Sequence, residues 1–244
     1  MKSTITILKR ELRAYFATPV AYVFIVIFLL LTGILTFYMG GFFEREQADL
    51  APFFFFHPWL YLILVPAISM RLWAEERKTG TIELLLTLPF STGQAVLGKF
   101  LAAWAFTGIA LLATTPIWLT VNLLGDPDNG VVLAAYIGSL LMAGGYLAIG
   151  SCISAVTNNQ VIAFVVSLVT CMLFILAGLP AVLDFFTGWA PQAVIDTVSS
   201  FSFMTHFNSI AKGVIDLRDV IFFGSLIGCF LLANTLILDA KKGE

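Results

Sequence analysis

Residues 20–40 read VAYVFIVIFLLLTGILTFYMG, 21 residues without a charge. As a helix rising about 1.5 Å per residue, such a run is about 30 Å long, the thickness of a bilayer's hydrocarbon core. It is too long and too aromatic for a signal-peptide core, and no A-x-A-like site follows it, so it is expected to stay in the mature protein. Five more apolar runs, 53–70, 100–124, 131–155, 161–183 and 220–238, read as further spans. The fold class expected is therefore an all-α polytopic membrane protein of six transmembrane helices in one domain, 1–244.

Composition agrees. The 244 residues are 59% hydrophobic and 11% charged, where globular proteins are about a quarter charged. A net charge of −2 points away from nucleic acid. Cys152, Cys171 and Cys229 fall in apolar runs without metal-binding spacing and read as buried free thiols. No Asp, Glu, Lys or Arg lies at the centre of a span, which argues against a proton-coupled carrier. There is no H-E-x-x-H, no G-x-S-x-G and no mid-span carboxylate pair, so the chain is not expected to be an enzyme.

On the N-terminal side of the first span, STITILKRELRAYF (3–16) sets Ile5, Leu8, Leu12 and Tyr15 at helical spacing opposite Lys9, Arg10 and Arg13. Residues 1–19 thus read as an amphipathic helix lying in the membrane interface. The polar connections EREQADLAP (44–52), GDPDNG (125–130) and TNNQ (157–160) separate spans. The stretch 184–219 is too long for a simple link and is expected to hold interfacial or re-entrant helices. With the N-terminus inside, ten cations fall on the inner side and three on the outer, so N-in and C-in is expected. His57 and His206 lie near span ends, where a histidine is usually without chemistry.

Seven of the 28 charged residues crowd into RLWAEERKTGTIELLLTLPFSTGQAVLGKF (71–100). Its GQAVLGKF is a near P-loop, but Phe100 stands where a magnesium-binding hydroxyl belongs, and the segment runs straight into a span. Ser91 and Gln94 read instead as a capping box, with Lys99 at the membrane boundary and Gly93 and Gly98 as small packing residues. TIELLLTL (81–88) is apolar around most of a helix and wants burial on several sides, against its own bundle or in a partner's groove. Two small-residue patterns, Gly224-x-x-x-Gly228 and Gly144, Ala148, Cys152, suit close helix packing within one chain or between two.

WAEERKTGTIELLLTLPFSTGQAVLGKF (73–100) resembles the signature of ABC-2-type transporter permeases: paired acids, a base, G-T-x-E-x-L-L and P-x-S before a G-K that opens the third span. Residues 1–19 resemble that family's elbow helix. HFNSIAKGVIDLRD (206–219) makes the likeness strongest to the gliding-motility-type, GldF-like permease subunits. The resemblance implies a bacterial inner-membrane exporter subunit without a cofactor of its own, ATP and Mg being held by a separate ABC ATPase. It also implies a second permease chain, identical or not, and a GldG-like auxiliary membrane protein. Residues 81–88 would be the coupling helix within a cytoplasmic coupling region, 71–99. Its docking residues would be Glu75, Glu76, Arg77, Lys78, Gly80, Thr81, Glu83, Leu84 and Leu85. For Glu75 to Lys78 the alternative is a membrane-boundary charge cluster paired within its own helix. The extracytoplasmic gate candidates implied are His206, Phe207, Gly213 and Asp216, in 184–219. An ATPase-independent channel or carrier is the alternative function, and it would need no apolar helix displayed to a partner.

Overall fold

The computed structural model describes residues 2–82, 91–188 and 190–241, which are helical and contain no strand. In chain order the helices are α1 (Lys2–Ala17), α2 (Pro19–Ile34, continued by a π turn Leu35–Met39), α3 (Ala51–Phe55), α4 (His57–Ser69) and α5 (Arg71–Thr79). They continue as α6 (Thr92–Leu112), α7 (Thr115–Leu124), α8 (Asn129–Val156) and α9 (Gln160–Leu176). The last are α10 (Pro180–Thr187), α11 (Gln192–Ser200), α12 (Phe203–Ala211) and α13 (Leu217–Ala240).

Among the described residues, four stretches are long and apolar enough to cross a bilayer: Pro19–Met39, Thr92–Leu124, Asn129–Val156 and Leu217–Ala240. The runs expected as single spans over 53–70 and 161–183 are instead divided, and proline is the reason. Pro58 cannot donate to the Phe54 carbonyl, and α3 gives way to α4 at Phe56. Pro180 stands four residues after Leu176, where α9 ends at 17 residues. Pro116 likewise leaves the Leu112 carbonyl without its helical donor, and the Thr115 hydroxyl donates to that oxygen at the α6–α7 junction. Helices over 184–219 are present as expected, in α11 and α12 with the end of α10.

The core is built around α8, whose apolar window is 78% buried. Helices α4, α5, α6, α9, α12 and α13 all pack on it. Its small residues set how closely they approach. A Cβ on Gly150 would overlap the Ser69 side chain of α4, and one on Gly144 would fall 2.9 Å from Ile227 Cδ1 of α13. By contrast a Cβ on Gly224 or Gly228 meets nothing within 4 Å, so within the described chain this pair packs against no neighbour. Cys152 and Cys171 are buried thiols as expected, but Cys229 is exposed on the same open side of α13.

Helix α1 lies against α6 by a face turned slightly from the one its pattern suggests. Thr4 and Ile7 are buried, whereas Ile5 is 50% exposed. The cause is a groove at Gly98, where any Cβ would stand 2.8 Å from Ile7 Cγ2. Tyr15 and Phe16 complete the contact on Phe106, with Tyr15 stacked at 5.1 Å.

Gly150→Val is expected to destabilise the bundle by about 1–3 kcal/mol through overpacking. Gly33→Val, at a site with nothing within 4 Å, should leave the melting temperature of the purified chain in detergent unchanged.

Candidate functional site

The described chain has a cation-rich end, holding α1, α5 and the start of α6, and an acid-rich end, holding the 44–49 and 125–128 connections and the α11–α13 turns. The docking candidates lie at the first. Helix α5 starts directly after α4, and no side chain of its own caps it. Its first-turn donors are met from α8 instead: the Trp73 and Ala74 amides donate to Ser154 Oγ at 3.1 and 3.0 Å, and that hydroxyl donates to the Met70 carbonyl at 2.8 Å. Trp73 Nε1 and Asn234 Nδ2 both donate to Ser151 Oγ, at 3.2 and 2.8 Å. Five hydrogen bonds thereby fix α5 to α8 and α13, and orphan donors at a helix start are satisfied by another helix.

Helix α5 stops at Gly80, which adopts the left-handed conformation at φ 71° and donates to the Arg77 carbonyl at 3.2 Å. That conformation costs an L-residue with a side chain about 1–2 kcal/mol. Thr79 Oγ1 donates back to the Glu75 carbonyl and lies 3.0 Å from Thr81 Oγ1. Ile82 turns back onto the apolar core. Glu83, Leu84 and Leu85, with the rest of the expected coupling helix, lie outside the described residues.

The charged candidates divide by direction. Glu75, Lys78, Gly80 and Thr81 are exposed, and Glu75 lies 4.0 Å from Arg71 one turn back. Glu76 points inward. Its carboxylate lies 2.7 Å from the ammonium of Lys99, which is only 3% exposed, also lies 3.4 Å from Glu11 of α1, and sits 5.3 Å above the Trp73 ring. One buried cation thus holds α1, α5 and α6 together. Arg77 is half-buried, its Nε has no hydrogen-bond partner among the described residues, and desolvation lowers its pKa. Burial pushes the Glu11 carboxyl up, but Lys99 and Arg10 outweigh it and hold it below the usual value.

The near P-loop has no room for phosphate. Residues 93–99 are inside α6, whose first turn is closed by the expected Ser91–Gln94 capping box. Gly98 is filled by Ile7 and Lys99 is occupied by carboxylates, so residues 93–99 do not fit a nucleotide phosphate.

At the acid-rich end the four gate candidates do not form one cluster. His206 and Phe207 are buried in α12, which is N-capped by Ser202. Gly213, at φ 91° and with a would-be Cβ 2.8 Å from Val131, makes the turn out of α12, and Asp216 caps α13 by accepting from the Arg218 amide. The partner of His206 is Asp219, whose carboxylate lies 2.6 Å from Nδ1; Nε2 lies 2.9 Å from the Ser200 carbonyl, and the ring stacks on Phe222 at 4.0 Å. A ring with one N–H satisfies one of these acceptors, and the doubly protonated ring satisfies both. Asp219 is buried, at 5% exposed. Its only sequence signal is a carboxylate in the first turn of an apolar helix.

Long apolar helices packed on a buried hub, with ionic groups confined to the ends, define a multi-pass membrane protein. The family model described as "ABC-2 family transporter protein" matches residues 42–236, four-fifths of the chain, and the protein belongs to that family. It is therefore a membrane component of an ABC transporter. No individual curated protein matches the sequence.

Lys99→Met would leave Glu11 and Glu76 without their buried cation and is expected to cost about 3–5 kcal/mol. Adding Glu76→Gln to it should recover part of the loss, read as melting temperature in detergent. Because the Glu11 pKa is lower folded than unfolded, its contribution is complete above the ordinary value of about 4.3 and is lost as pH falls through the folded value. The protection of α1 amides against hydrogen exchange, relative to an unstructured chain at the same pH, should therefore fall on acidification below about pH 4, and Glu11→Gln should abolish that step.

Proposed function

We propose that this chain is the permease subunit of an ABC-2 exporter in the bacterial inner membrane, oriented N-in and C-in, which receives motion from a separate ABC ATPase. The observation that carries the reading is the contrast within α5. Its first turn is locked to α8 and α13 by Ser151, Ser154 and Asn234, while its last turn presents Glu75, Lys78, Gly80 and Thr81 to solvent. A segment rigid toward the bundle and exposed at its tip can pass displacement from a cytoplasmic partner into the spans. Glu76, Arg77 and the 83–85 stretch complete the proposed docking region, Glu76 from within through Lys99.

In this reading α4 with α3 and α5, and α9 with α10, complete six spans across the bilayer. The short helices α11 and α12, with His206, Phe207, Gly213 and Asp216, form the extracytoplasmic gate. ATP and Mg belong to the ATPase. The open Gly224–Gly228 side of α13 is the face available to a second permease chain. The sequence of 206–219 supports a gliding-motility-type subunit working with a GldG-like auxiliary protein.

Glu83→Lys together with Leu84→Asp should abolish co-purification of the ATPase while the membrane bundle elutes and melts as the parent does. Unchanged co-purification would falsify the docking assignment. In vesicles containing both subunits, transport that continues without the ATPase would instead support a channel or carrier.

A further inference from the structure

A cavity of about 410 Å³ opens at the acid-rich end, away from α5, and shares Phe207 with the proposed gate. Three separate segments enclose it, the 49–55 approach to α4, the 127–132 start of α8 and the 207–212 end of α12. Its volume falls in the range of about 300–1,000 Å³ typical of small-ligand sites. The walls are mostly hydrocarbon, from Leu50, Phe54, Val131, Val132 and Phe207, with Asn208 as the uncharged polar side chain among them.

Charge is confined to the rim, and it is of both signs. Asp128 Oδ1 accepts from the Gly130 and Val131 amides, and Asp49 Oδ1 from the Ala51 amide, so both carboxylates are pinned by helix starts. Arg45 stands 3.8 Å from Asp49. Lys212 is exposed, and among the described residues it forms no ion pair. Asp128, and less strongly Asp49 with Arg45 beside it, repel an anionic head, and the Lys212 ammonium repels a cationic one. A head carrying phosphate and ammonium together matches both, with phosphate at Lys212 and ammonium at the carboxylates.

We propose that this cavity binds an acyl chain of a zwitterionic glycerophospholipid such as phosphatidylethanolamine, with its headgroup held at the Asp49, Asp128 and Lys212 rim. The ligand comes from the leaflet at this end, because the rim lies where α3 and α8 begin, at the boundary between polar connection and apolar helix. The site is independent of the ATPase reading and stands whether or not α5 docks a partner.

The test uses the full chain in nanodiscs containing phosphatidylethanolamine with a diazirine at the acyl terminus, followed by irradiation and peptide mass spectrometry. Adducts are expected to concentrate on 49–55, 127–132 and 207–212 over the exposed surface of α2. Ala51→Trp, at an exposed wall position, should lower cavity adducts about fivefold while α2 adducts stay unchanged. Lys212→Glu, a surface change without a packing cost, should lower them comparably, so either variant decides the matter if the other folds poorly. Uniform adducts, or adducts unaffected by both variants, overturn the proposal. So does equal competition by phosphatidylglycerol or by a headless fatty alcohol. Protein–protein cross-links from a photoactivatable phenylalanine analogue at Phe55, appearing in place of lipid adducts, would assign the cavity to a polypeptide and overturn it as well.

Discussion

Ser154 holds the arrangement on which the rest of this bundle depends. A backbone donor left open in hydrocarbon costs several kcal/mol, so a helix can be interrupted there only where another group takes over its hydrogen bonds. The α4–α5 junction is such an interruption, and a single hydroxyl on α8 accepts from two amides of α5 and donates to the last carbonyl before it. The same economy appears at Pro116, where Thr115 takes the carbonyl that proline abandons. These two breaks are each matched by a hydroxyl close to them, and the positions of α5 and α7 follow from those hydroxyls.

The two ends of the molecule solve different problems. At the cation-rich end one buried ammonium joins three helices, a contact that is strong only while every partner is in place. At the acid-rich end Asp49, Asp128 and Asp216 work as helix caps, each satisfying the first amides of the helix it begins. Capping is local and tolerates movement of one helix against another, whereas the Lys99 cluster does not. The end proposed to receive force is thus the stiffer one, and the end proposed to open is assembled from separately closed short helices.

Much of this was legible in the sequence. Length and hydropathy marked 20–40, 131–155 and 220–238 as spans, and Ser91 and Gln94 announced the start of α6 through a short-range pattern that depends on few other residues. Proline positions held the signal for the divided helices, but the breaks at Phe56 and Leu176 needed the local geometry to be seen. Ser151, Ser154 and Asn234 were invisible because a small polar residue in an apolar helix looks the same whether it faces lipid or caps a helix some 80 positions earlier in the chain. Lys99 looked like a boundary charge for the same reason: its two carboxylates come from helices that meet only in the fold. The described members of the family-derived docking set are a mixture of exposed and inward-facing residues, a distinction that spacing alone does not carry.

Helix α2 touches the rest of the bundle lightly, only 22% of its apolar window being buried. Its free energy is therefore set mainly by lipid, and its 21 residues, with the π turn included, nearly equal the hydrocarbon thickness. A thinner bilayer would be met by tilting this helix rather than by rearranging the core, since tilt is the least costly answer to hydrophobic mismatch. The first span thus acts as a compliant outrigger, leaving the α8-centred bundle insulated from changes in membrane thickness.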